Sequence, residues 1–463
     1  MSEHGAPVLA RERADSDAVL AAVEAADLRL VRFLYCDYGG IVRGKATHAA
    51  GLADRLEEGI ALTSAQMAMN ALDQLQPVAG MTAVGEVRLV PDPASFVMLP
   101  YVPRTGAMMC DLLTLDREPS PGCPRSFLQR VLRRADDRGM SVEAVFEHEF
   151  FLGREVDGRY HPADRSLCFS TVGMNAAAPF TDELIAALEA QGLRVEQALP
   201  EYGAGQQEIS IRHAPALAAA DNQIVVRETA KAVAARHGMV ASFAAKPFPD
   251  QIGSGAHVHL SLWDIHTGDN LLYDPDRLPH RFSELAAQFV AGVLDHLPAL
   301  TAITCPTVNS YRRLQPHAWA SAFVCYGFDN REAAVRVPST FWGREQGTTN
   351  LELKTVDNTC NPYLALGAII TAGLDGIERR LDPGPPLDVD PGLLTDEERE
   401  RRGMRRLPGS LDEALDELAQ DKVLGSAMGE MLREGFLTVR RSEAEFYRHR
   451  PEEDEFASHY ARY

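Results

Sequence analysis

Three stretches of this chain alternate polar and apolar residues with a period of two, and each gathers its polar groups on one side. Glu147 and Glu149 alternate with Phe146, His148 and Phe150; His257 and His259 alternate with Ala256, Val258 and Leu260; Asn350, Glu352 and Lys354 alternate with Leu351 and Leu353. Residues i and i+2 of a strand share a face, so the pattern predicts three strands with polar, metal-competent faces and apolar backs. Ionisable groups on a half-buried strand cost free energy unless they are paired or bound to metal. A fourth segment, Glu201-Tyr202-Gly203-Ala204-Gly205-Gln206-Gln207-Glu208, adds two carboxylates around a glycine turn. Five carboxylates with two histidines suit Mg²⁺ or Mn²⁺ rather than Zn²⁺. Such ions mainly organise phosphates, which makes ATP the expected co-substrate.

Four arginines follow in Asn309-Ser310-Tyr311-Arg312-Arg313-Leu314 and Asn330-Arg331-Glu332-Ala333-Ala334-Val335-Arg336. Guanidinium groups clamp carboxylates and phosphates bidentately and stabilise charge on a transferring phosphoryl group. Gly253 and Gly255 let backbone approach a substrate closely. Neither a Walker A loop nor a Gly-x-Gly-x-x-Gly fingerprint occurs, so ATP binding must come from another fold. A net charge of −20 argues against a nucleic-acid surface. Seven scattered cysteines without a Cys-x-x-Cys pair read as reduced thiols. The start, Met-Ser-Glu-His-Gly, has no basic region followed by an apolar run, and no stretch nears the ~18 apolar residues of a membrane span. The expectation is a cytoplasmic protein with no membrane partner.

Runs of strands broken by helices, without regular βαβ alternation, predict an α+β fold. Residues 1–15 are polar and expected to be mobile. Residues 16–118 form a first unit: a helix over Asp17–Ala26, strands over Leu28–Asp37, Glu86–Val90 and Met108–Leu113, and a Pro/Gly-rich close near Pro119–Gly122. Residues 119–463 form a second. Helices are expected over Arg125–Arg138, Thr181–Gln191, Ala214–His237, Arg281–Leu294, Pro362–Arg380, Leu411–Leu418 and Asp421–Arg433.

These motifs together resemble the glutamine synthetase superfamily from about Leu30 to Glu445. The most specific signatures are Glu147-His148-Glu149-Phe150-Phe151, Gly205-Gln206-Gln207-Glu208, Lys246-Pro247 leading to Gly253–His259, Asn309–Leu314, Asn330-Arg331 and Asn361-Pro362-Tyr363-Leu364-Ala365. The resemblance implies an N-terminal β-grasp domain, a C-terminal catalytic domain with a curved antiparallel sheet, and a homododecamer of two stacked hexameric rings. It implies that ATP phosphorylates the γ-carboxylate of glutamate and an amine then displaces phosphate. Carried over, one metal falls to Glu149, Glu201 and Glu208, and a second to Glu147, His257 and Glu352. His259, Ser261, Arg336 and Asn350 fall at ATP positions, Gly253, Arg313, Lys354 and Trp319 at substrate positions. Arg313, Arg331 and Lys354 take catalytic roles.

The chain departs from the family where ammonium is handled. The flap after Asn309–Leu314 normally carries a glutamate that accepts the ammonium proton; the count falls on Trp319. The aspartate-bearing segment of the ammonium site is missing, because Gly59–Asn70 has no aspartate. Cys168 or Phe169 stands where a tyrosine lines that pocket, Asn350 where an arginine is usual, and Ile252 where an asparagine is common. No tyrosine occurs in Asp382–Pro408, the region of the regulatory loop. An indole can pack against an alkyl or aryl amine or hold a cation over its face. The expected activity is therefore an ATP-dependent ligase joining glutamate to an organic amine. The alternatives are an ammonia-using synthetase with a divergent ammonium site and a non-catalytic homologue acting as regulator or scaffold.

Overall fold

A computed structural model describes residues 8–463. The α+β expectation holds, in two sheets. In the first, strand Leu30–Cys36 lies between Val42–His48, antiparallel, and Thr105–Leu113, parallel. Glu86–Pro91 and then Ile60–Thr63 extend it as a β-grasp-like sheet. Its tight turn at Tyr38-Gly39-Gly40 is pressed onto the second unit. Gly40 has φ 72°, and a Cβ there would stand 2.1 Å from the carbonyl oxygen of Thr359. The first helix is Val8–Ala25, starting well ahead of the expected Asp17. Residues 1–7 of the segment expected to be mobile lie outside the described residues.

The second sheet has ten strands built around one of seventeen residues, Met140–Val156. That strand alternates buried and half-buried residues from Met140 to Phe150, as period-two patterning demands. Ala256–Asp264 pairs with its first half; Gln206–Ile211 and Val240–Ser242 pair further along. Leu351–Leu353, Val335–Val337 and Tyr326–Phe328 then continue the sheet, the last pair parallel in an otherwise antiparallel array. Helices Pro124–Asp136, Ala216–Arg236, Glu284–Thr304 and Pro362–Arg379 pack against it and one another.

Two helices outrun their sequence signals because each contains a proline. Thr171–Ala190 begins ten residues before the expected Thr181, bridging Pro179; the Ser170 hydroxyl caps its start by accepting the Gly173 N–H at 3.1 Å. Glu284–Thr304 runs through Pro298, past the expected end at Leu294, since nearly its whole last half is buried. Among the described residues it is the one helix long and apolar enough to cross a membrane, yet 78% of its apolar window is buried inside the protein. The helix expected over Asp421–Arg433 is broken at Gly429 (φ 81°) into Lys422–Met428 and Glu430–Arg448.

His296 clamps three of these helices. Its Nδ1 lies 2.6 Å from Asp421 and its Nε2 3.1 Å from Asp375. Burial alone would lower its pKa, but the two carboxylates outweigh burial and raise it. Asp375 and Asp421 are themselves lowered, burial being overcome chiefly by the hydrogen bonds of Arg379 and His296 at Asp375 and of His296 at Asp421. The histidine's contribution is full below its ordinary 6.5 and is lost as pH rises through its raised value. His296→Gln is expected to cost about 1–2 kcal/mol at pH 6 after solvent screening and distinctly less at pH 9. Urea unfolding at the two pH values measures this; equal losses would contradict the clamp.

Candidate functional site

The register of the long strand assembles the predicted acids. Glu147 stands opposite His257, Glu149 opposite Glu208, and His259 opposite Glu352, which in turn faces Arg336. His257 Nδ1 is 3.0 Å from Glu147 and 3.4 Å from Glu352, and its Nε2 is 3.8 Å from Glu149. Glu147, His259 and Glu352 also bring one ligand atom each within 4.8 Å of one another. Both histidines therefore flank the Glu147–Glu352 pair, and His257 makes the shorter contacts.

Charge is divided into two poles. At one, Arg336 donates to Glu352 at 2.7 Å and Lys354 at 3.2 Å. Burial opposes ionisation of Glu352, but Lys354, the two histidines and Arg336 hold it well below the ordinary carboxylate range. Glu147 is likewise lowered, to about 2, its burial outweighed by His257 and His259. At the other pole, burial and the charges of Glu147, Glu149 and Glu201 push Glu208 up to about 10. Burial and Glu149 raise Glu201. Among the described residues no lysine or arginine forms an ion pair with Glu149, Glu201 or Glu208, and carboxylates crowded in this way fit a divalent ion. Glu149, Glu201 and Glu208 would hold one there, and Glu147, His257 and Glu352 a second.

Arg313 is almost fully buried beside this cluster. Its Nη2 donates to the Lys354 carbonyl oxygen at 2.9 Å and lies 3.3 Å from His257, while its Nη1 is buried with no partner among the described residues. The loop makes room for it with glycines. A Cβ on Gly253 would fall 2.6 Å from Arg313 Cγ, and one on Gly255 2.6 Å from His257 Nε2. A buried guanidinium with an unspent donor is costly unless a ligand completes it, and a substrate carboxylate is the matching acceptor. Arg331 is exposed and its guanidinium makes no bond among the described residues. At the expected ATP positions, His259 Nδ1 meets Asn350 at 2.9 Å, and Ser261 accepts the Trp263 indole N–H at 2.9 Å.

The flap holds an unusual backbone. His317, Trp319 and Ser321 all have positive φ (61°, 53° and 67°) without being glycine. Each such residue costs about 1 kcal/mol or more, so the conformation must be held by its contacts. His317 lies 2.8 Å from Asp390, and the Trp319 N–H donates to Glu332 at 2.8 Å. The Trp319 side chain is 59% exposed, so it does not serve to pack the flap within the subunit. Cys168 is half-buried near Glu201, and Phe169 is exposed. Gly59–Asn70 stays with the first sheet, its Asn70 side chain donating to Ser442.

Sequence reasoning missed the residues that aim the candidate metal ligands. Gln206 donates to Glu149 (3.3 Å), the Gly253 carbonyl (3.0 Å) and Ser254 (3.2 Å). Sharing a strand face with Glu208, it was open to the same period-two rule. Asn358 donates to the carbonyls of Glu149 and Gly255 and accepts from His148, tying both ligand strands together. It sits in the fully buried run Thr355–Thr359, which has no periodicity to reveal it.

Residues 121–459 match the family model for the glutamine synthetase catalytic domain, and 16–124 that for the glutamine synthetase N-terminal domain. The chain is 37% identical to a gamma-glutamylpolyamine synthetase of Streptomyces coelicolor over 89% of its own length and 88% of the relative's. It is 34% identical to a glutamine synthetase of Methanosarcina mazei, covering 93% and 94%. Among solved structures, a novel glutamine synthase homolog superimposes with a TM-score of 0.84 at 36% identity, covering 94% of this chain and 99% of that one. A GmaS in complex with ADP gives 0.81 at 30% identity, covering 94% and 98%.

Proposed function

The chain belongs to the glutamine synthetase family of ligases, and from that premise we propose that it joins the γ-carboxylate of glutamate to an organic amine. One observation carries the reading: where the family's flap presents an acid to ammonium, this flap presents the exposed indole of Trp319. The relative named a gamma-glutamylpolyamine synthetase supports the same direction. Relatives named glutamine synthetase support the ammonia-using alternative at nearly equal identity.

Members of the family use ATP and divalent metal; bound here, the metal would supply charge neutralisation at the transferring phosphoryl group. The residues of this chain do the rest. Arg313 and the Gly253 loop orient the glutamate carboxylates, and Lys354 lies beside the γ-carboxylate. Arg331 and Arg336 offset charge on the phosphate. Phosphorylation turns a carboxylate, whose oxygen leaves badly, into an acyl phosphate that an amine can attack. The reading includes two domains, 16–118 and 119–463, and two stacked hexameric rings.

Phosphate release with glutamate, ATP and a panel of ammonia, ethanolamine, alkylamines, polyamines and anilines tests it; ammonia outperforming every organic amine would sink it. Trp319→Ala is expected to lower kcat/KM for the preferred amine about tenfold, the worth of ~1.4 kcal/mol of apolar contact. Ammonia use should barely change. Equal losses with both nucleophiles would remove Trp319 from amine recognition.

A further inference from the structure

An organic amine arrives as an ammonium ion and must shed a proton before its nitrogen can attack. Within Asn309–Ser321 there is no aspartate or glutamate to take it. Two acids stand on the neighbouring segment, Asp329 and Glu332. Asp329 is occupied, accepting from both the N–H and the hydroxyl of Ser339. Glu332 is different: only 8% exposed, it uses Oε1 to accept the Trp319 N–H at 2.8 Å, while Oε2 makes no hydrogen bond among the described residues. We infer that the Glu332 carboxylate takes the proton of the incoming ammonium group, restoring from the adjacent turn the acid that Trp319 displaced from the flap.

This deepens the proposed ligase reading and rests on it. The turn carrying Glu332 is braced for a fixed position. Its N–H donates to Asn330 Oδ1, and the Asn330 amide is anchored to the carbonyls of Leu387 and Val389. The charged groups around the carboxylate are Asp390, His317 and Lys354, with Arg331 next in sequence. Burial raises its pKa, which makes it a better proton acceptor than an open surface carboxylate. The Lys354 charge also places it within electrostatic reach of the Glu352 end of the site.

In the step itself, the ammonium gives one proton to Glu332 and becomes a neutral amine. Its lone pair forms the C–N bond to the γ-carbonyl carbon, and the C–O bond to phosphate breaks. Phosphate leaves with that electron pair and takes the surplus nitrogen proton.

Hydroxylamine separates this role from a structural one, because it is uncharged at neutral pH and needs no proton removed before attack. In Glu332→Gln, which keeps an oxygen for the Trp319 N–H, kcat/KM at pH 7 with the preferred amine is expected to fall roughly 100-fold or more. Hydroxamate formation should fall only a few-fold, and the amine rate should climb about tenfold per pH unit as free amine accumulates. Parallel losses with amine and hydroxylamine, or no loss with the amine, would overturn the inference. If the wild type uses ammonium alone and Glu332→Gln loses only that, the organic-amine reading fails while Glu332 keeps its role.

Discussion

Replacing Glu208 by glutamine is expected to lower ATP-dependent turnover by roughly 100- to 1000-fold while stabilising the metal-free protein. Both effects follow from one carboxylate. With no cation beside it, Glu208 is held protonated by burial and by the charges of Glu147, Glu149 and Glu201. Folding thus takes up a proton there at neutral pH. The folded state binds more protons than the unfolded one between the ordinary 4.5 and about 10, so metal-free stability falls as pH rises through that window. Glutamine removes the cost, a gain of about 1–3 kcal/mol, seen as a higher urea midpoint after chelation. The metal-bound comparison must invert: added Mg²⁺ or Mn²⁺ should stabilise the wild type strongly and the variant weakly. A variant with unchanged metal-dependent stabilisation would remove Glu208 from the cation's ligands.

The largest loss of stability is expected at Arg125, which joins the two sheets. From the helix Pro124–Asp136 its guanidinium reaches Asp111 on the first sheet (3.1 Å), Asp92 (2.6 Å) and Asp221 on Ala216–Arg236 through two bonds of 3.1 and 2.9 Å. Tyr363 completes Asp221 at 2.6 Å. Arg125→Ala should cost about 3–5 kcal/mol, because it leaves buried carboxylates without a counter-charge. Burial already raises Asp221 despite the arginine; without it the residue folds as the neutral acid. The variant should therefore be less destabilised at pH 5 than at pH 8. Denaturation at both values, together with Arg125→Met/Asp221→Leu, checks this: the double variant should recover part of the loss.

What could be read from the sequence depended on whether periodicity carried it. Glu147, Glu149, His257, His259 and Glu352 sit on strands whose apolar backs face a core, so alternation revealed both the strands and the shared face. The helix Pro124–Asp136 was legible from its own apolar stripe, whereas Ala216–Arg236 and Pro362–Arg379, buried on most sides, were legible as long runs rich in apolar residues rather than by periodicity. Asn358 was not, because its task is to satisfy backbone groups across strands distant in sequence, whereas Gln206 shared the legible face of Glu208 and was passed over only because an amide is not a metal-type acid. Glu332 lies among the arginine motifs, yet only the backbone path of the flap brings its carboxylate to Trp319. Proline hid the true starts and ends of two helices, since local propensity there opposes what burial and capping enforce.

The seventeen-residue strand at the centre of the second sheet also sets a timetable. Arg159–Pro162 folds back on its end at once, but the partners that carry the site arrive later: Gln206–Ile211, then Ala256–Asp264, and through it Leu351–Leu353. Glu147 and Glu352 are separated by about two hundred positions. At about 5–20 residues per second, a ribosome needs on the order of 10–40 s between them. During that interval the nascent chain holds a half-built cradle, with Glu147 and Glu149 made but Glu352 and Lys354 still to come. On the proposed reading, competence for phosphoryl transfer begins only after residue 354 has emerged and paired, and a nascent chain shorter than that cannot spend nucleotide.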